Sequence, residues 1–208
     1  MRVIAGTFKG RRLVVPKGNR LVRPTADRVK ESVFSILRER VVGANFLDLC
    51  AGTGSMGIEA LSRGAKHVTF LDRDPRCIVV IERNLDVCGL TAESGVYYLL
   101  CRDVLKGIGS LHKRAATFEV IYFDPPYGVG LADGSQNPLE LYTASLALLA
   151  KTVLLTIGGT LLVEHAKQAV MPDTVGNLCR DRQTRYGDTV VSFYHWENDS
   201  QLSGQVAT

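Results

Sequence analysis

Apolar residues recur along this chain in two rhythms. Short, nearly unbroken apolar runs, "NFLDLC", "HVTFLD", "GVYYLLCRD", "FEVIYFD" and "GTLLVEHA", read as strands buried on both faces. Between them lie segments with helical spacing: "SMGIEALSRG" ends at a glycine and "PRCIVVIERNLDVCGL" starts near Pro75. A short helical segment is expected between the third and fourth strands, and "LELYTASLALLAKTVL" reads as another helix. Upstream, "TADRVKESVFSILRER" offers Thr25 as a helix cap and a stripe at Val29, Val33, Ile36 and Leu37. Near the end, "CRDRQTRYGDTVVSFYHW" reads as an antiparallel hairpin turning at Tyr186, Gly187 and Asp188. Strand–helix alternation with continuous apolar strands predicts a doubly wound, mostly parallel α/β sheet closed by an antiparallel edge.

Composition narrows the picture. At 208 residues and 46% hydrophobic content the chain suits one ordinary α/β domain with a small extension. No apolar run approaches the roughly 20 residues needed to span a bilayer. The start, "MRVIAGTFKG", lacks the apolar stretch of a signal peptide, so a cytoplasmic protein is expected; a monomer is expected as well. Five cysteines without a CxxC pair, and four histidines without paired spacing, predict neither a disulfide framework nor a metal site. Charge is unevenly placed: residues 1–40 hold 11 Lys and Arg against 3 acidic residues, whereas the rest of the chain is net negative. A basic arm on a mildly acidic body suits a polyanionic partner, nucleic acid first, although a solvated surface hairpin has the same charge. The expected division is a basic hairpin and first helix over 1–40, the α/β domain over 41–196, and a disordered polar tail over 197–208.

Candidate chemistry gathers at the carboxyl ends of the strands, where open α/β sheets bind ligands. The first strand runs into "LDLCAGTGSMG", in which Gly52, Gly54 and Gly57 match G-x-G-x-x-G, and Asp72 ends the next strand. Glycine loop, helix and distal acid together suit a nucleoside with the acid on its ribose. A dinucleotide such as NAD would set its pyrophosphate over this loop, and Asp48 would repel it. S-adenosylmethionine carries an ammonium and a sulfonium there instead, so the sign of Asp48 favours the methyl donor. Asp103, ending the third strand, can accept from the adenine amino group, cap the following helix, or do both. The fourth strand stops at "DPPY": two prolines without N–H groups end the ladder and stiffen a turn carrying Asp124 and Tyr127. Asp124 and the Pro125 carbonyl can accept hydrogen bonds from an exocyclic amine on a base, and Tyr127 can stack on that base.

These motifs, together with "RVIAGTFKGRRL" and "RPTADRVKESVFSIL", resemble the RsmD family of small-subunit (16S) ribosomal RNA guanine-N2 methyltransferases, from about residue 2 to 196. "DPPY" and the glycine loop are common to many amino-methylating enzymes, whereas the N-terminal pair is specific to the family. The resemblance implies a Rossmann-like class I S-adenosylmethionine-dependent fold with a seven-stranded sheet and a small N-terminal β-hairpin. Carried over, Asp48, Ala51, Gly52, Thr53, Gly54 and Gly57 hold the methionine end. Asp72 and Arg73 lie at the ribose, Asp103 and Val104 at the adenine, and Asp124, Pro125, Pro126 and Tyr127 form the catalytic turn. Asp124 also faces the cofactor. The product would be S-adenosylhomocysteine, with no metal required. Arg2, Lys9, Arg11, Arg12, Arg23 and Arg28 are implied to face ribosomal RNA, free or within the small subunit. An adenine-N6 methyltransferase, an NAD-binding Rossmann protein and a non-catalytic RNA-binding module are the alternatives.

Overall fold

A computed structural model describes residues 1–15, 27–126 and 138–197. The expectations for Thr25, Arg23, Tyr127 and the tail from residue 198 lie outside these residues.

Five parallel strands carry the architecture: β1 (Asn45–Leu49), β2 (His67–Asp72), β3 (Tyr97–Cys101), β4 (Phe118–Phe123) and β5 (Leu155–Ala166). β6 (Thr174–Val175), β7 (Leu178–Tyr186) and β8 (Thr189–Trp196) add the antiparallel edge, giving the order β3-β2-β1-β4-β5-β8-β7-β6. Seven of these strands match expectation. β6 is an addition of two residues, too short to leave a periodic signal. The chain winds first from β1 outward to β3 and then returns to β4, so β1 is flanked by β2 and β4. Strand order reverses there, opening a crevice at the carboxyl ends.

Helices cover both faces. α1 (Asp27–Leu37), α2 (Ser55–Ser62) and α3 (Pro75–Val87) enclose one apolar cluster that includes Phe46, Val68, Phe70 and Tyr122. α4 (Val104–Lys113) and α5 (Pro138–Leu149) enclose the other, with Leu47, Leu71, Ile121 and Phe123. Adjacent strand residues point to opposite faces, so strands covered on both sides must be apolar throughout. α5 stops short of the stretch read as helical. Lys151 and Thr152 donate to Leu148 and Leu149 in tight three-residue turns, and the Thr152 hydroxyl donates to the Leu149 carbonyl at 3.0 Å. The chain is thereby released into β5, which begins earlier than read and shifts register against β4 between Phe118 and Val120. Among the described residues no helix is long and apolar enough to cross a membrane.

The N-terminal arm pairs with itself and grips the body. Val3 N–H donates to Arg11 O, Gly10 N–H to Val3 O and Leu13 N–H to Met1 O, an antiparallel hairpin. Val3 and Leu13 join the apolar cluster of α1 and α2. The Glu59 carboxylate of α2 accepts from Ile4 N–H at 2.7 Å and Ala5 N–H at 3.0 Å. Ser62 receives Phe8 N–H on its hydroxyl and Thr7 N–H on its carbonyl. The approach is so close that a Cβ on Gly6 would stand 1.7 Å from Ser62 O, and its φ of +80° is itself left-handed. Glu59 also pairs with Lys30 of α1 at 3.5 Å, both side chains fully buried, and with Arg63 at 2.8 Å. Lys30 donates to Arg2 O at 2.7 Å. Burial lowers the Lys30 pKa, and the Glu59 carboxylate opposes that shift. One acid thus ties arm, α1 and α2 together.

Candidate active site

The turn after β1 is held from two sides. Ala51 N–H donates to Leu71 O at 3.0 Å and Asp124 N–H to Leu49 O at 3.3 Å, extending the ladders beyond the strands. Cys50 takes a left-handed φ of 61° between them, uncommon for a residue with a Cβ. Gly54, at φ +74°, begins α2. Gly57 has a packing reason of its own: an added Cβ would lie 2.2 Å from the Phe70 ring, so only glycine lets α2 sit this close to β2. Its N–H donates to Asp48 Oδ2 at 2.9 Å.

Three carboxylates gather around this turn. Asp48 is buried, and desolvation raises its pKa to about 8 against the Gly57 hydrogen bond, with the nearby Asp72 charge adding to the rise. Asp72 is nearly as buried, accepting from Gly52 N–H at 2.8 Å and Asp74 N–H at 2.9 Å. Burial raises its pKa too, despite those bonds. Cys50 feels all three: after burial, the charges of Asp72, Asp124 and Asp48 push its thiol well above the ordinary range. Cys50 therefore stays a neutral thiol and a poor nucleophile. Such a crowding of acids is electrostatically costly by itself and favours a bound cation. Among the described residues no group of His, Cys, Asp and Glu is arranged to hold a metal ion.

The remaining expected residues ring the same end. Asp103 caps α4, its Oδ1 accepting from Leu105 N–H at 3.0 Å and Lys106 N–H at 3.4 Å. Val104 is buried behind it, and Arg73 is exposed just beyond β2. On the catalytic turn Asp124 is half-buried, Pro125 buried and Pro126 exposed. Beneath it Tyr142 of α5 stands edge-on to Phe123, ring centroids 5.8 Å apart, and donates to Glu164 O at 3.1 Å. Burial and the Asp124 charge hold that phenol far above its usual pKa. Tyr122 donates to the Glu164 carboxylate on the opposite face of β4. Of the arm residues, Arg2, Lys9, Arg11, Arg12 and Arg28 are exposed. Arg2 lies 3.6 Å from Asp27, and Arg11 donates to Val87 O at 3.0 Å.

Several residues that shape the site or anchor the arm went unnoticed in the sequence: Cys50, Lys30, Asn84 and Tyr142. Lys30 and Asn84 had a legible signal. Each is a polar residue on its helix's apolar stripe, Lys30 with Phe34 and Leu37, Asn84 with Cys77, Val80 and Ile81.

Strand order, switch-point loop and acids at the strand ends define a class I methyltransferase, Rossmann-like in architecture. The chain matches the family described as "Conserved hypothetical protein 95" over residues 1–195. It is 38% identical over 194 residues to YlbH of Bacillus subtilis (strain 168), whose name proposes rRNA methyltransferase activity, covering 93% of this chain and 98% of that one. It is 39% identical over 134 residues to "Ribosomal RNA small subunit methyltransferase D" of Haemophilus influenzae, 64% of this chain and 67% of that one. Among solved structures, yhhF of Escherichia coli, whose name proposes a methyltransferase, superposes with a TM-score of 0.74 at 26% identity, covering 95% of this chain and 98% of that one. The chain belongs to this family, the RsmD methyltransferases.

Proposed function

We propose that the chain transfers a methyl group from S-adenosylmethionine to the exocyclic N2 of a guanine in small-subunit ribosomal RNA. The observation that carries this reading is the convergence of Asp48, Asp72 and Asp124 on one turn beside the rigid Asp124-Pro125-Pro126 segment. Family membership and the names of the relatives support rRNA as the substrate. The donor set fits the cofactor: carboxylates for an ammonium and ribose hydroxyls, and a glycine loop whose backbone a ligand can approach closely. The bound cofactor supplies an electrophilic methyl on a cationic sulfur.

The chain's own residues do the rest. Asp48, once ionised, holds the ammonium, with Ala51, Gly52, Thr53 and Gly54 walling that end. Asp72 accepts from the ribose hydroxyls, beside Arg73. Asp103 uses Oδ1 for its cap and has Oδ2 to offer the adenine amino group, over Val104. An exocyclic amine is a weak nucleophile because its lone pair is delocalised into the ring. Asp124 and the Pro125 carbonyl accept its two N–H bonds, turn the lone pair outward and stabilise the positive charge that develops on nitrogen, whose surplus proton then leaves by way of Asp124 to solvent. Tyr127 stacks on the base, which must leave its helix to reach the turn. Residues 1–40 grip RNA phosphates through Arg2, Lys9, Arg11, Arg12, Arg23 and Arg28, while residues 41–196 carry the chemistry.

Incubating the protein with methyl-labelled cofactor and small-subunit RNA, then digesting the RNA to nucleosides, tests the reading. N2-methylguanosine is the expected labelled product. Label in N6-methyladenosine would move the chain to adenine chemistry, and a tight response to NAD without methyl transfer would remove it from the class.

A further inference from the structure

The side chain of Asn84, on α3, is fully buried and joins two segments with separate assigned tasks. Its Nδ2 donates to the carbonyl of Thr53 in the glycine loop at 2.9 Å and to the carbonyl of Val14 in the arm at 3.2 Å. Its Oδ1 accepts Val14 N–H at 2.6 Å. Both amide hydrogens and the carbonyl oxygen are thus spent, and none of the bonds is made within α3 itself. Thr53 is also held from its other end, its hydroxyl donating to Met1 Sδ at 3.7 Å. The loop that walls the cofactor and the hairpin that carries Arg2, Lys9, Arg11 and Arg12 therefore share one buried polar clamp.

We propose that Asn84 is a positioning residue through which RNA bound to the arm and cofactor bound to the loop strengthen one another. This rests on the assignment of arm to RNA and loop to cofactor made above. A buried amide with both hydrogens and its oxygen engaged leaves little room for one partner to shift alone, because a half-broken set leaves polar groups unpaired. RNA gripping the arm restrains Val14, hence Asn84, hence the Thr53 carbonyl. Cofactor bound at the loop fixes the same set from the other side. Linkage requires the two effects to be equal in size. The chemistry gains a simple advantage: a chain loaded with cofactor binds RNA better than one carrying none.

Replacing Asn84 outright risks the fold, so the test acts on the arm. Val14 is 40% exposed, and Val14→Pro removes only the N–H that Asn84 accepts, leaving the Thr53 bond in place. S-adenosylhomocysteine is titrated calorimetrically into the full chain, alone and with a small-subunit RNA transcript, and RNA affinity is measured with and without that ligand. In the unaltered chain RNA should raise ligand affinity by about fivefold or more, with the same factor in reverse. In Val14→Pro, which leaves Asn84 Oδ1 unpaired and should unfold a few degrees lower, the factor should fall clearly below that of the unaltered chain while each separate affinity stays within a few-fold. Equal coupling in Val14→Pro and the unaltered chain, or none in the unaltered chain, overturns the proposal. Failure of the unaltered chain to bind S-adenosylhomocysteine at all would overturn it as well, and would identify the functional assignment as the point of failure.

Discussion

Asp48 should make cofactor binding a proton-releasing event. Burial lifts its carboxyl to about 8, so in the ligand-free chain roughly a tenth of the molecules hold it ionised at about pH 7. A cation on the loop needs the ionised form. Binding therefore carries a cost of about 1.4 kcal/mol for each pH unit below the raised pKa. Apparent affinity for S-adenosylhomocysteine should rise about tenfold per unit between about pH 6 and 8, then level off, following the competent fraction. The same shift acts on stability with the opposite sense. A raised folded pKa contributes stability that is full below the unfolded value near 4 and is lost as pH rises toward about 8. Titration calorimetry in two buffers of different ionisation enthalpy counts the protons directly, and close to one should leave per ligand at about pH 7. Asp48→Asn should abolish the release and weaken binding above about pH 8 by roughly 10- to 150-fold, the worth of hydrogen bonds to a charged group. A flat affinity profile with no proton release in the unaltered chain would refute this account of Asp48.

Other consequences follow from the packing. Glu59→Gln should destabilise the chain by about 3–5 kcal/mol, because Lys30 keeps a buried charge without its partner; the urea midpoint reports this, and adding Lys30→Met should recover much of the loss. Gly57→Ala should cost about 1–3 kcal/mol through the clash with Phe70, and adding Phe70→Leu should relieve part of it. Arg11→Glu with Arg12→Glu should lower RNA affinity and flatten its salt dependence, since fewer counterions are released, while cofactor affinity holds; an unaltered salt slope would place the RNA elsewhere.

The central strands were legible because burial on both faces leaves no polar alternation: β2 and β4 fall where their apolar runs do. Helix starts were legible where chemistry marks them, as at Pro75 behind the Asp74 cap and at Asp103 before α4. The carboxylates could be found because each lies at or within two residues of a strand's carboxyl end. Their mutual crowding could not, since the approach of Asp72 and Asp124 to Cys50 depends on β1 lying between β2 and β4. Nor could the use of Glu59 be read. On α2 it looks like a solvated acid, yet its partners come from 55 residues earlier in the chain and from another helix. The end of α5 was misplaced for a related reason. "KTVL" carries helical spacing onward, but tight turn bonds and burial of Leu154 decide the exit toward β5. Patterns along the chain report faces, whereas partners across it are set by the packed whole.

The most direct measurement compares single-turnover methyl transfer to small-subunit RNA by the unaltered chain and by Asp124→Ala, with cofactor and RNA affinities measured in parallel. Losing the acceptor that steadies the developing charge should slow transfer by at least about 10²–10³-fold. RNA affinity should stay within a few-fold, because the basic arm is untouched, and cofactor affinity should fall far less than the transfer rate, because the loop, Asp48 and Asp72 remain. Transfer at an undiminished rate in Asp124→Ala, with both ligands bound, would contradict the claim that this carboxylate directs methylation at the amine.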